Sequence, residues 1–285
     1  MISKEQFEKE IELIIENALR EDIGDGDHSS LACIPADALG KAKLLVKDTG
    51  ILAGVDFAQR VFEKVDPQIK MEVLMKDGSR IKPGDIAFYI EGASQSILKA
   101  ERLVLNAMQR MSAIATKTRT FADKLEGTRT RILDTRKTTP GIRALEKWAV
   151  KIGGGENHRF ALYDMIMLKD NHIDFAGGIE TAVAKTHHYL ARHNLNLKII
   201  VEARDIQEIK QILNAGGVDR ILLDNFSYEE TSKAVALING RCETESSGGI
   251  TLDTARRYAE CGVDFISSGA LTHSVYNLDL SLKAV

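Results

Sequence analysis

From residue 198 onward a short strand-like run recurs every ~20–25 residues, with helical pattern between the runs, and few folds accept that rhythm. The runs are KIIVEA (198–203), VDRILLD (218–224), CETESSGG (242–249) and VDFISSG (263–269). Helical stretches fill about 205–215, 228–238 and 252–260. Parallel strands need a crossover between them, and a helix of this length supplies one. Two earlier runs, RILD (131–134) and DMIMLKD (164–170), join the series. Their number and the right-handed crossover rule predict a TIM-like, mostly parallel α/β barrel rather than an open sheet.

Upstream of about residue 128 the pattern differs. Ser3 is a candidate N-cap with Gln6 as its capping-box partner, and Phe7, Ile11, Ile14 and Leu19 share one helical face. DIGDGDHSS (22–30) is predicted to be a loop. Residues 40–93 carry short apolar runs broken by the turn signals KDG and KPGD, which predicts a small sheet with one or two helices. A long helical pattern follows over 95–125.

Charge narrows the function classes. The net charge is −3, from 38 Lys+Arg against 41 Asp+Glu, which disfavours a nucleic-acid binder. No apolar run approaches the ~18 residues of a membrane span, and MISKEQFEKE is too polar for a secretory signal. The three cysteines, Cys33, Cys242 and Cys261, show no CxxC spacing, so neither a zinc site nor a disulfide framework is predicted. A reducing, cytoplasmic setting without nucleic-acid or membrane partners is the expectation.

In a parallel α/β barrel the functional groups gather at the C-terminal strand ends. Those ends carry Asp134, Arg136 and Lys137, then Lys169, Asp170 and His172, then Glu202, then Asp224 and Asn225. The last two units end in Ser247-Gly248-Gly249 and Ser268-Gly269, each before a helix, a composition suited to a phosphate. Simple tight turns are the plainer reading of both. Arg136, Lys137, His158, Arg159 and Lys169 form a basic pocket if strand 131–134, loop 153–159 and strand 164–169 are neighbours, with Gly153–Gly155 as a flexible link. A basic pocket on an acidic body suits a small, multiply anionic ligand. The plainer alternative is a set of solvated cations pairing with Asp134, Glu146 and Asp170. His172 is either a base or a brace for its loop. Lys169 alone would also suit a Schiff-base aldolase.

The order DTRKTTPG, GGGENHR, LKDNH, VEA, LLDNF, ESSGGIT, DFISSGALTHS, together with AERLVLN and EDIGDGD, resembles the quinolinate phosphoribosyltransferase family from about residue 18 to the C-terminus. The resemblance implies an N-terminal α/β sandwich domain (1–110, with 275–285 returning to it) and a barrel catalytic domain (111–274). It implies a transferase that joins quinolinate to phosphoribosyl pyrophosphate with Mg²⁺ and releases pyrophosphate and CO₂, in NAD biosynthesis. It implies a homodimer with shared active sites; some members form hexamers. By match to the family's motifs, Arg136, His158, Arg159, Lys169 and the neighbouring subunit's Arg102 would read quinolinate. Lys137, Glu202, Asp224, Ser247, Gly248, Gly249, Gly269 and His273 would hold phosphoribosyl pyrophosphate. Lys137, Lys169, Glu202 and Asp224 would carry the chemistry, the last two also as direct or indirect Mg²⁺ ligands. Departures are Ala113, Arg204 and Ser246, none at a position with a named role. A related enzyme acting on nicotinate and a catalytically silent binding protein are the competing readings.

Overall fold

The structure is a computed structural model that describes residues 2–285; Met1, the first residue of the expected 1–110 domain, lies outside them. In chain order the first elements are α1 (Lys4–Ile23), α2 (His28–Cys33), β1 (Leu39–Val46), β2 (Gly50–Ile51), α3 (Val55–Val65), β3 (Lys70–Val73), β4 (Arg80–Ile81), β5 (Ile86–Ala93) and α4 (Ser94–Lys124). Then come β6 (Arg131–Leu133), α5 (Arg143–Ile152), β7 (Ile166–Leu168), α6 (Asp170–Ala176), α7 (Ile179–Arg192), β8 (Ile199–Ala203) and α8 (Ile206–Ala215). The last are β9 (Arg220–Asp224), α9 (Tyr228–Ile238), β10 (Glu243–Ser247), α10 (Leu252–Glu260), β11 (Phe265–Ser267), α11 (Ala270–His273) and β12 (Leu280–Ala284).

The chain divides into two compact units. One comprises 3–119, 138–154 and 271–285. Its four-stranded antiparallel sheet has the order β12-β1-β5-β3. Ala42, Leu44 and Val46 alternate inward along β1, the period-two pattern of a strand with one buried face. Phe62 of α3 meets Phe88 of β5 edge-on at 6.2 Å. Trp148 of α5 meets Phe7 of α1 at 5.6 Å and lies under the Arg60 guanidinium of α3, so α5 packs in this unit. Ser3 does cap α1, its Oγ accepting from the Gln6 amide at 3.1 Å. The predicted loop at 22–30 is shorter than the composition suggests. α1 runs to Ile23, and Asp27 accepts the Ser30 amide at 3.1 Å and so starts α2.

The other unit comprises 120–137 and 155–270. Its six parallel strands have the order β6-β11-β10-β9-β8-β7. The first strand pairs with the last, the circular arrangement expected of an α/β barrel. No ladder joins β6 to β7; instead Glu156, between them in sequence, makes an isolated parallel bridge to Leu133. β8 is buried at every position, as a strand covered on both faces must be. Local signals place the helices. Asp205 caps α8, and Ser227–Glu230 and Thr251–Thr254 form reciprocal caps on α9 and α10.

Candidate active site

Strand register brings the site together. Leu168 lies opposite Val201, so Lys169 emerges beside Glu202, and their Nζ and Oε2 stand 3.2 Å apart. Asp224 lies opposite Ser247 on the next pair. Lys169, Glu202, Asp224 and Ser247 therefore share the C-terminal edge of β7–β10. Burial raises the Glu202 carboxyl above its ordinary range; Lys169 pulls it back, while Asp224 and Asp170 add to the rise. The Lys169 side chain is about half exposed and already ion-paired, which is not the dry setting that a Schiff-base lysine needs.

The basic side of the site is built on a buried clamp. Asp134, fully buried at the end of β6, accepts the His158 amide at 2.8 Å on Oδ1 and the Asn157 side-chain amide at 2.6 Å on Oδ2. Arg159 is nearly buried, and its Nη1 donates to the Met165 carbonyl at 3.2 Å. Burial first, and the like charge of Arg136 second, pull the Arg159 guanidinium down from its ordinary range. Arg136 and Arg159 thus share one electrostatic environment. Asp164 fixes the far side of the loop by accepting the Phe160 and Ala161 amides at 2.9 and 2.8 Å.

Asp134 and Glu146 are not the surface carboxylates of the plainer sequence reading. Both are fully buried. Glu146 binds Arg110 Nη2 at 2.8 Å and accepts the Thr139 amide and hydroxyl at 3.0 and 2.9 Å. It ties the segment after Lys137 to α4. Gly153 is not a flexible link: a Cβ there would stand 2.5 Å from the Ala115 carbonyl, so glycine is required for close packing on α4. His172 braces its loop, its Nδ1 accepting the Lys169 amide at 3.1 Å.

At the phosphate-like turn, Gly248 has φ +94° and a Cβ there would meet Asn225 Oδ1 at 2.1 Å. Asn225, itself at φ +57°, accepts no such intrusion because its Nδ2 donates to Asp224 Oδ2 at 2.8 Å. Gly249 is exposed, Ser268 Oγ donates to the Ile250 carbonyl at 3.0 Å, and Gly269 follows directly. Lys137 is exposed, its amide donating to Thr135 Oγ1 at 3.0 Å. Arg102, exposed on α4, and His273, whose Nδ1 pairs with Ser274 Oγ at 2.6 Å, belong to the other unit.

Sequence reasoning missed Glu245 and Arg220. Glu245 Oε2 lies 2.9 Å from Arg220 Nη1 and 3.3 Å from His158 Nε2, all three nearly or fully buried. Arg220 also binds Glu243 at 2.8 Å and stacks over Phe265 at 3.9 Å. The available signal was acidic residues at alternate positions, 243 and 245, in a strand whose neighbours are apolar.

The sequence pattern described as quinolinate phosphoribosyl transferase, C-terminal domain, matches residues 114–283, and its N-terminal counterpart matches 27–112. The chain is 46% identical to a chloroplastic nicotinate-nucleotide pyrophosphorylase [carboxylating] of Oryza sativa subsp. japonica, over 96% of this chain and 77% of that one. It is 38% identical to a probable enzyme of the same name from Bacillus subtilis (strain 168), over 96% and 93%. The crystal structure of NadC from Streptococcus pyogenes superposes with a TM-score of 0.90 at 38% identity, covering 100% of this chain and 99% of that one.

Proposed function

The chain belongs to the quinolinate phosphoribosyltransferase family, and from that premise we propose how its residues perform the transfer. It acts as a quinolinate phosphoribosyltransferase of NAD biosynthesis: quinolinate and phosphoribosyl pyrophosphate give nicotinate mononucleotide, pyrophosphate and CO₂. The observations that support the site assignment are two groupings in one unit: Arg136 beside Arg159, and Lys169 and Asp224 beside Glu202. Two carboxylates on a pyridine ring match these cations, and Arg suits planar carboxylate capture.

Glu202 and Asp224 face the ribose. As pyrophosphate departs, positive character develops at the anomeric carbon, and the two carboxylates stabilise it. Lys137 holds charge on the leaving group, and Ser247, Gly248, Gly249 and Gly269 hold the 5′-phosphate. The pyridine nitrogen forms the bond to the anomeric carbon as the carbon–oxygen bond to pyrophosphate breaks. The ring nitrogen is then cationic. The adjacent carboxylate leaves as CO₂, its bonding electrons stay on the ring carbon, and that carbon takes a proton from Lys169.

Among the described residues no cluster of three or more His, Cys, Asp or Glu could hold a metal alone. A pair of carboxylates nonetheless fits Mg²⁺, which keeps waters and substrate phosphates as its other ligands. Glu202 and Asp224 would hold it, and it would neutralise pyrophosphate charge. A homodimer with Arg102, exposed on α4, donated across the interface is part of this reading. The three cysteines are free thiols, which fits a reducing, cytoplasmic setting; no helix among the described residues is long and apolar enough to cross a membrane.

An assay with quinolinate, phosphoribosyl pyrophosphate and Mg²⁺, beside one with nicotinate, tests the reading. Nicotinate mononucleotide and CO₂ from quinolinate alone are expected. Turnover of nicotinate instead would overturn the substrate assignment.

A further inference from the structure

Among the described residues three other than glycine hold a positive φ, and all are asparagine: Asn194, Asn225 and Asn239. Asn194 follows the end of α7 and Asn239 caps α9, and the left-handed region is routine where a helix ends. Asn225 ends no helix. It follows β9 directly, at the strand end that carries Asp224. Glycine would adopt its φ of +57° more readily. What asparagine adds is a side chain, and that side chain lies between two strand ends. Its Nδ2 donates to Asp224 Oδ2 at 2.8 Å. Its Oδ1 fills the space beside Gly248, only 2.1 Å from where a Cβ on that glycine would stand. Its backbone amide donates to the Ser247 carbonyl at 2.9 Å.

An aspartate carboxylate at a strand end can turn about its Cβ–Cγ bond. A donor fixed on Oδ2 stops that rotation and leaves Oδ1 to meet a ligand. The donor is itself held, because one end of its amide packs on Gly248 and its backbone is bonded to Ser247. We propose that Asn225 is a positioning residue: it fixes the Asp224 carboxylate and locks it to the Ser247–Gly248 turn, so that the groups meeting the ribose and the 5′-phosphate keep one spacing. This deepens the proposed function and rests on it for the identity of the ligand. The effect belongs to phosphoribosyl pyrophosphate. The quinolinate side rests on other anchors, Asp134 under the His158 amide and the Met165 carbonyl under Arg159.

Asn225→Gly keeps the backbone conformation and removes the side chain. Its kcat/KM for phosphoribosyl pyrophosphate is expected to fall about tenfold, the lower end for losing a residue that orients a ligand-contacting group, while the quinolinate KM stays within about twofold. An unchanged kcat/KM overturns the proposal, as does an equal change on the quinolinate side. A double-mutant cycle separates positioning from general loosening. In an Asp224→Ala background Asn225→Gly should cost nothing further, because the group it positions is gone; a second loss of the same size overturns the proposal. If Asn225→Gly does not fold, Asn225→Asp takes its place. It has the same shape and tolerance of positive φ but lacks the donor, so the same fall is expected and full activity overturns the proposal. Ribose 5-phosphate, which carries the ribose and the phosphate, tests the coupling without turnover: its affinity by calorimetry should fall about tenfold in Asn225→Gly. Unchanged affinity overturns the proposal, whereas absence of quinolinate turnover in the unsubstituted enzyme, with that affinity loss intact, refutes the assigned reaction alone.

Discussion

Glu202 sits where two opposing effects meet. Burial and the nearby Asp224 and Asp170 favour its neutral form, and the Lys169 ammonium favours its ionised form; burial is the largest and the net shift is upward. A carboxylate that stabilises a cationic transition state works only when ionised. With a raised pKa the proton arrives at higher pH than for an ordinary glutamate, so activity is lost earlier on acidification. The acid limb of kcat is therefore expected above the ~4.3 of an unperturbed glutamate. Glu202→Gln removes that limb and lowers kcat by roughly 10²–10³, the cost of losing one preorganised electrostatic group. A limb at or below the ordinary value, or one that persists in Glu202→Gln, would count against the role. The residue's identity at a strand end is plain in VEA; its shift is not, because the shift depends on Lys169, Asp170 and Asp224, which are distant in sequence.

The segment after β6 is anchored by a buried group. Glu146 of α5 takes the Thr139 amide and hydroxyl, and its charge is met by Arg110 of α4. Arg110 also donates to the Thr272 carbonyl, so a single guanidinium links α4, the 138–142 segment and α11. Glu146→Ala leaves Arg110 without its partner and is expected to cost ~3–5 kcal/mol, the range for breaking a buried pair. Chemical denaturation gives that number, and hydrogen exchange at the Thr139 amide should accelerate along with it. Slow exchange at Thr139 in the variant would mean that the segment is held by something else. The helix at 143–152 is amphipathic in sequence, but no periodicity says that Trp148 belongs against Phe7 and Arg60. Nor does a glycine run distinguish a hinge from the close contact of Gly153 with α4, because both demand the same residue.

Arg102 and His273 belong to one unit and the strand-end residues to the other. If Arg102 acts across a dimer interface, inactive Arg102→Ala and Glu202→Ala subunits should complement each other. A one-to-one mixture, refolded or co-expressed, forms half heterodimers with one intact site each, so about a quarter of the unsubstituted activity is expected. No recovery would place Arg102 outside a shared site. The parallel strand rhythm after residue 198 and the residues at the strand ends were readable in the linear sequence, because a period of strand, helix and strand has few packed solutions and each strand end lies where its apolar run stops. The burial of Asp134, Glu146 and Glu245 was not. Each depends on which distant segment lies alongside, and a buried charge reads in sequence like an exposed one until its partner is in place.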